Sequence, residues 1–137
     1  MTDLEHGTTV NVGVVEGGTR SNVVAASARA EIDTRAWTIA DAEALEDEIL
    51  AVEPINPKTD VTVSGGFERP PMERTPDTAK LFEVAQTVGR ELGLLLKEGA
   101  SGGGSDGNFT AALGIPTLDG LGVEGGGAHS VDEHIRV

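Results

Sequence analysis

Ser101-Gly102-Gly103-Gly104-Ser105-Asp106-Gly107-Asn108-Phe109-Thr110-Ala111-Ala112-Leu113-Gly114-Ile115-Pro116-Thr117-Leu118 places a glycine loop, a short helix, a glycine stop and an apolar run in succession. Alternation of helix and strand predicts an α/β fold. Ser105 or Asp106 is the candidate cap of a helix over 106–113, whose first amides then point back at the loop. Such a loop suits a carboxylate or a phosphate, because glycine lets backbone approach a ligand closely. A second loop, Gly125-Gly126-Gly127-Ala128-His129-Ser130, ends in a histidine that is a candidate metal ligand or acid/base group. Glycine triplets alone describe flexible surface turns equally well.

Moving upstream, Thr75-Pro76 starts the clearest helix. Thr caps it, Pro occupies its first turn, and Leu81, Val84, Ala85, Val88 and Leu92 form one stripe. Gly93 closes this helix. Leu94-Leu95-Leu96 reads as a short buried strand, and 115–118 as another. Pro70-Pro71 lies in a linker.

The first half alternates differently. Residues 8–15 read as a half-buried strand ended by Gly17-Gly18, and Ser27 to Trp37 as a second strand. Ala28, Ala30, Ile32 and Thr34 take one face and Arg29, Glu31, Asp33 and Arg35 the other, the pattern of an antiparallel sheet with one wet face. Thr38 opens a helix carrying Ala42, Leu45, Ile49 and Val52, stopped by Pro54 and Pro57. Thr59 to Ser64 reads as a third strand. Strand, strand, helix, strand is what remains of a ferredoxin-like unit without its first strand and helix.

Composition narrows the function classes. The 137 residues carry a formal net charge of −13, which repels a phosphate backbone and an anionic membrane surface alike. There is no cysteine, so any metal must use His, Asp or Glu. No stretch reaches the roughly 20 apolar residues of a membrane span. The first residues have neither a basic region nor an apolar core, so no signal peptide is read and the cytoplasm is the default location. With one Trp, three Phe and no Tyr, the core must come from Val, Ile, Leu and Ala.

The string from Ser101 to Gly122, followed by Gly125-Gly126-Gly127-Ala128-His129-Ser130, closely resembles the C-terminal part of the catalytic domain in the zinc aminoacylase/glutamate carboxypeptidase family. That resemblance implies a zinc-binding α/β catalytic domain carrying an inserted ferredoxin-like lid that commonly mediates dimerisation. Residues 1–68 are then part of the lid and 69–137 the returning catalytic segment. By the same resemblance His129 is a metal ligand, and the loop with Gly103 and Gly104 lies at the substrate pocket. Gly17-Gly18-Thr19-Arg20-Ser21-Asn22-Val23-Val24 is similar to the family loop whose asparagine, here Asn22, holds the substrate carbonyl or carboxylate. Ala25 stands where the family has proline. The family's D-x-R falls on Asp33-Thr34-Arg35 and implies Arg35 as the carboxylate-binding arginine, a role guanidinium geometry suits. From the residues alone, Asn22 fits a turn and Arg35 a surface ion pair equally well.

The family's H-x-D motif, its adjacent Glu-Glu pair and its lid histidine do not occur here. His6 matches no family ligand, and Asp132-Glu133-His134 reads as an ordinary surface segment. The chain is therefore expected to be part of a zinc metallopeptidase acting on a peptide or an N-acyl amino acid, for example at C-terminal glutamate. Alone it is expected to be inactive, and its lid sheet is expected to support a homodimer. Two alternatives stand beside this reading: a non-catalytic dimerisation module, and an anion-binding domain using the glycine loop.

Overall fold

Thr9–Gly17 (β1) and Ala28–Arg35 (β2) pair antiparallel in this computed structural model, which describes residues 1–136. The register runs from Thr9 opposite Arg35 to Gly17 opposite Ala28, with a bulge that leaves Gly13 unpaired between Val12 and Val14. A bulge adds local twist to a ribbon. Contrary to the expectation of one wet face, both faces are solvated: Val12, Val14, Val15 and Ile32 are all exposed.

Ile39–Leu50 (α1) follows β2 as its periodicity requires. Thr38 caps it, its Oγ1 accepting the Asp41 amide at 3.1 Å. The Glu73 carboxylate accepts the Ile39 N–H at 2.8 Å, placing negative charge at the positive end of the helix dipole. Glu46 accepts the Phe67 amide at 3.4 Å, which lays the segment after α1 along this helix. Ala42 and Leu45, on the inner face of α1, are buried, as is Pro71.

Pro76–Glu91 (α2) begins at the Thr75 cap, whose Oγ1 accepts the Thr78 amide at 3.1 Å. It ends in a Schellman motif. Gly93 adopts a positive φ of 76°, its N–H reaches the Arg90 carbonyl, and Leu94 N–H reaches the Gly89 carbonyl. The chain turns back, so that Leu96 packs against Gly89 and its carbonyl accepts from Gln86 Nε2 at 3.2 Å. The covered face of α2 is therefore that of Phe82, Gln86 and Gly89, while Val84, Val88 and Leu92 of the sequence stripe remain exposed.

Gly107–Ala112 (α3) is shorter than the expected 106–113 and ends in a second Schellman motif at Gly114. Asp106 precedes it without a side-chain capping bond. Ser105 does part of that work: its Oγ accepts the Gly107 amide at 3.0 Å, and its own amide donates to Asn108 Oδ1 at 2.8 Å. Gly125–Gly126 (β3) and His134–Ile135 (β4) form a second antiparallel pair. The fold class is α/β, with mixed helices and small antiparallel sheets.

Three expected strands do not form. Residues 59–64, 94–96 and 115–118 have no ladder partner among the described residues. β-propensity only produces a strand where another strand closes its hydrogen bonds. The strand-strand-helix-strand expectation is thus corrected to two strands and a helix. Two compact units divide the chain: Met1–Glu73 with Ala100–Gly104, and Arg74–Gly99 with Ser105 onward.

Candidate functional site

Arg35 is the last residue of β2, two residues after Asp33, so both side chains leave the same face of the strand. That period of two lets Asp33 orient the guanidinium: Arg35 Nε donates to Asp33 Oδ2 at 2.9 Å. Nη1 donates to the Gly102 carbonyl at 2.9 Å, across 67 residues of sequence. Arg35 remains about half exposed. These two bonds use two of the five N–H groups a guanidinium carries. The structure therefore brings Arg35 to the glycine loop, in the first unit, where Gly103 and Gly104 also lie.

The loop itself is open backbone. Gly103 donates its amide to Ser101 Oγ at 3.1 Å. A methyl group at Gly104 would lie 3.0 Å from Arg69 Cδ, so the Arg69 side chain crosses the backbone there. Two guanidinium-bearing side chains thus pack on a four-residue stretch, a pairing that charge counting along the sequence does not reveal.

Asn22 is not part of this grouping. It sits in the turn that follows Gly17 and precedes Ala28, where Val23 N–H reaches the Arg20 carbonyl. Arg35 lies at the opposite end of the ribbon, opposite Thr9. Seven strand steps at about 3.3 Å put the two ribbon ends roughly 23 Å apart.

His129 belongs to the second unit, in the loop between β3 and β4. It is exposed and holds a φ of +63°, the one described non-glycine residue with left-handed backbone. Its loop is tied by Ser130, whose amide and hydroxyl both donate to the Gly127 carbonyl, at 2.9 and 2.7 Å. His134, expected in a plain surface segment, lies in β4 and its Nδ1 donates to the Asp132 carbonyl at 2.9 Å. That bond requires a proton on Nδ1, because a carbonyl oxygen only accepts. His6 pairs instead with Asp3 at 2.9 Å, and the His6 backbone amide, with the ring beside it, holds the Asp3 carboxyl below the usual range. Among the described residues no group of three or more His, Asp and Glu could hold a metal ion.

The whole chain, residues 2–137, matches the family model described as Peptidase family M20/M25/M40. The chain belongs to this family. A comparison with curated proteins found no match. M20 peptidases are hydrolases that generally depend on metal, and a catalytic zinc normally takes three protein ligands plus an open position. The described residues do not assemble such a set. What this M20 domain does present is an oriented guanidinium over an open glycine loop. No helix among the described residues is long and apolar enough to cross a membrane.

Proposed function

We propose that this chain is the substrate-recognition part of a zinc-dependent M20 carboxypeptidase or amidohydrolase, of the aminoacylase/glutamate carboxypeptidase kind. Its substrates are amides with a free carboxylate beside the scissile bond, such as a C-terminal glutamate or an N-acyl amino acid. The observation that supports this is the Arg35 guanidinium, held by Asp33 on one side and seated on the glycine loop on the other. A preoriented guanidinium binds a carboxylate through two parallel N–H bonds with less ordering cost than a free one. In this reading Arg35 takes the carboxylate and the backbone at Gly103 and Gly104 lines the pocket, Asn22 at the far end of the ribbon takes no part in it, and His129 in the second unit is by itself a candidate metal ligand. The attack of water in this family uses an H-x-D motif and an adjacent Glu-Glu pair, which do not occur in this sequence.

Binding of N-acetylglutamate, followed by calorimetry, tests the recognition role. Arg35→Met should weaken it by about tenfold or more, the scale of one lost charge-assisted pair. Unchanged binding in that variant would remove Arg35 from the site. The pure chain with added zinc should show no hydrolysis of the same compound above background.

A second reading, a dimerisation module, is favoured by one feature. Among the described residues β1 and β2 pair only with each other, the Thr2 hydroxyl meets the outer edge of β1 at Val10, and apolar side chains of both strands are exposed. Sedimentation showing a monomer at micromolar concentration would end that reading.

A further inference from the structure

The loop Ala100–Gly104 is grouped with the first unit although long stretches of chain separate it from β2. Among the described residues no backbone hydrogen bond joins it to a helix or strand. Its internal bond, Gly103 N–H to Ser101 Oγ, fixes a local turn and nothing beyond it. Among the described residues the hydrogen bond that connects it to β2 is the donation from Arg35 Nη1 to the Gly102 carbonyl. Contact supports it: a methyl group built at Gly102 would lie 3.5 Å from Arg35 Cδ, an ordinary van der Waals distance.

We propose that Arg35 is the positioning residue of the glycine loop, so that carboxylate capture and pocket-loop geometry depend on one guanidinium. A planar guanidinium can serve both because its donors lie on different edges. Nε is engaged by Asp33 and one Nη1 proton by Gly102, which leaves three N–H groups. Asp33 prevents rotation about the side chain that would exchange these roles. A carboxylate arriving on the free donors further immobilises the guanidinium, and through it the loop. Arg69 packs at the far end of the loop, on Gly104, and the ordered Arg35 holds the backbone at Gly102 where the substrate needs it. Lysine cannot replace it: a single ammonium on a flexible stem lacks the planar fork that Asp33 holds in place. The second half of this proposal rests on the carboxylate reading of Arg35; the tether does not.

Backbone ¹⁵N relaxation of the full chain tests the tether without ligand. In the wild type the Gly102, Gly103 and Gly104 amides should show order parameters near those of α1, about 0.85, falling below about 0.6 in both Arg35→Lys and Arg35→Gln. Amides of α1 and α2 should keep their values in the same samples. Loop order unchanged in Arg35→Gln would overturn the proposal. Should that variant not fold, the wild type still decides: slowed rotation at Nη1 of Arg35 supports the tether, and free rotation at both Nη groups refutes it. Adding N-acetylglutamate should shift the Arg35 Nε–H resonance and raise loop order further. A loop that loosens in the variants with no such shift leaves the tether standing and removes only the carboxylate reading.

Discussion

Leu94 donates its amide to the Gly89 carbonyl at 2.7 Å, closing the six-residue ring that folds the chain back across α2. The geometry needs left-handed backbone at Gly93, which costs a residue with a Cβ about 1–2 kcal/mol. Gly93→Val should therefore destabilise the second unit by about that amount, and Gly93→Asn by less, since Asn tolerates this region. Urea unfolding followed by the helical circular dichroism signal gives both values. Equal loss in the two variants would mean that the Schellman motif is not what holds Leu96 on the helix.

At the other end of α2, Thr75 accepts the Thr78 amide, and Thr75→Ala leaves that donor without its side-chain partner. The expected loss is about 1 kcal/mol, with Thr75→Ser close to wild type. Thermal melts of the two variants compare the cap directly, because serine preserves the hydroxyl and changes little else.

Leu45 is 4 % exposed and Ala42 5 %, and they are the buried apolar side chains of α1. Leu45→Ala should cost about 2–5 kcal/mol. So small a core has no reserve to absorb that loss, so the first unit should lose its α1 amide protection in hydrogen exchange. Protection that survives the substitution would show that the unit is held by other contacts.

His129 separates strain from ligation. A left-handed histidine costs about 1–3 kcal/mol, which glycine avoids. His129→Gly should raise thermal stability, whereas His129→Ala should not, since alanine keeps the Cβ. Both should weaken zinc binding wherever the imidazole contributes to it. Calorimetric zinc titration beside the melts reads the two effects independently.

Acid should weaken the second unit through Glu98. Arg74 Nε and Nη2 donate to its two carboxylate oxygens at 2.8 Å each. These hydrogen bonds, with the charge of Arg74, hold the Glu98 carboxyl below its ordinary value, and the same bonds raise Arg74. A lowered carboxyl stabilises the fold fully above the ordinary glutamate range and loses that contribution as pH falls through its folded value. Both side chains are exposed, so the effect is small and shrinks with salt. Acid melts of wild type and Glu98→Gln should converge once pH has fallen below the lowered folded value of Glu98; persistent divergence there would assign the acid response elsewhere.

Local signals in this chain were legible because local chemistry decides them. Thr38 and Thr75 cap helices since a hydroxyl beside four unsatisfied amides has a nearby partner wherever the helix goes. Gly93 belongs to the same class: it needs only its own neighbours in sequence. The short helix was legible in place, and of its two candidate caps Ser105 takes the Gly107 amide while Asp106 makes no side-chain capping bond.

Elements that depend on a distant partner were not decided by their residues. Leu94-Leu95-Leu96 and the segment 59–64 have strand composition, yet a strand exists only where a second strand meets its hydrogen bonds, and none does here. The same holds for the site. Sequence placed Arg35 beside Asp33 at a spacing of two and placed the glycine loop far downstream, and a family resemblance joined them. The tertiary structure alone put Nη1 of Arg35 on the Gly102 carbonyl, laid Arg69 across Gly104 and sent Asn22 to the other end of the ribbon. Bonding within a few residues is set by backbone geometry, whereas contact across 67 residues requires the folded chain to have met the entropy of closing that loop.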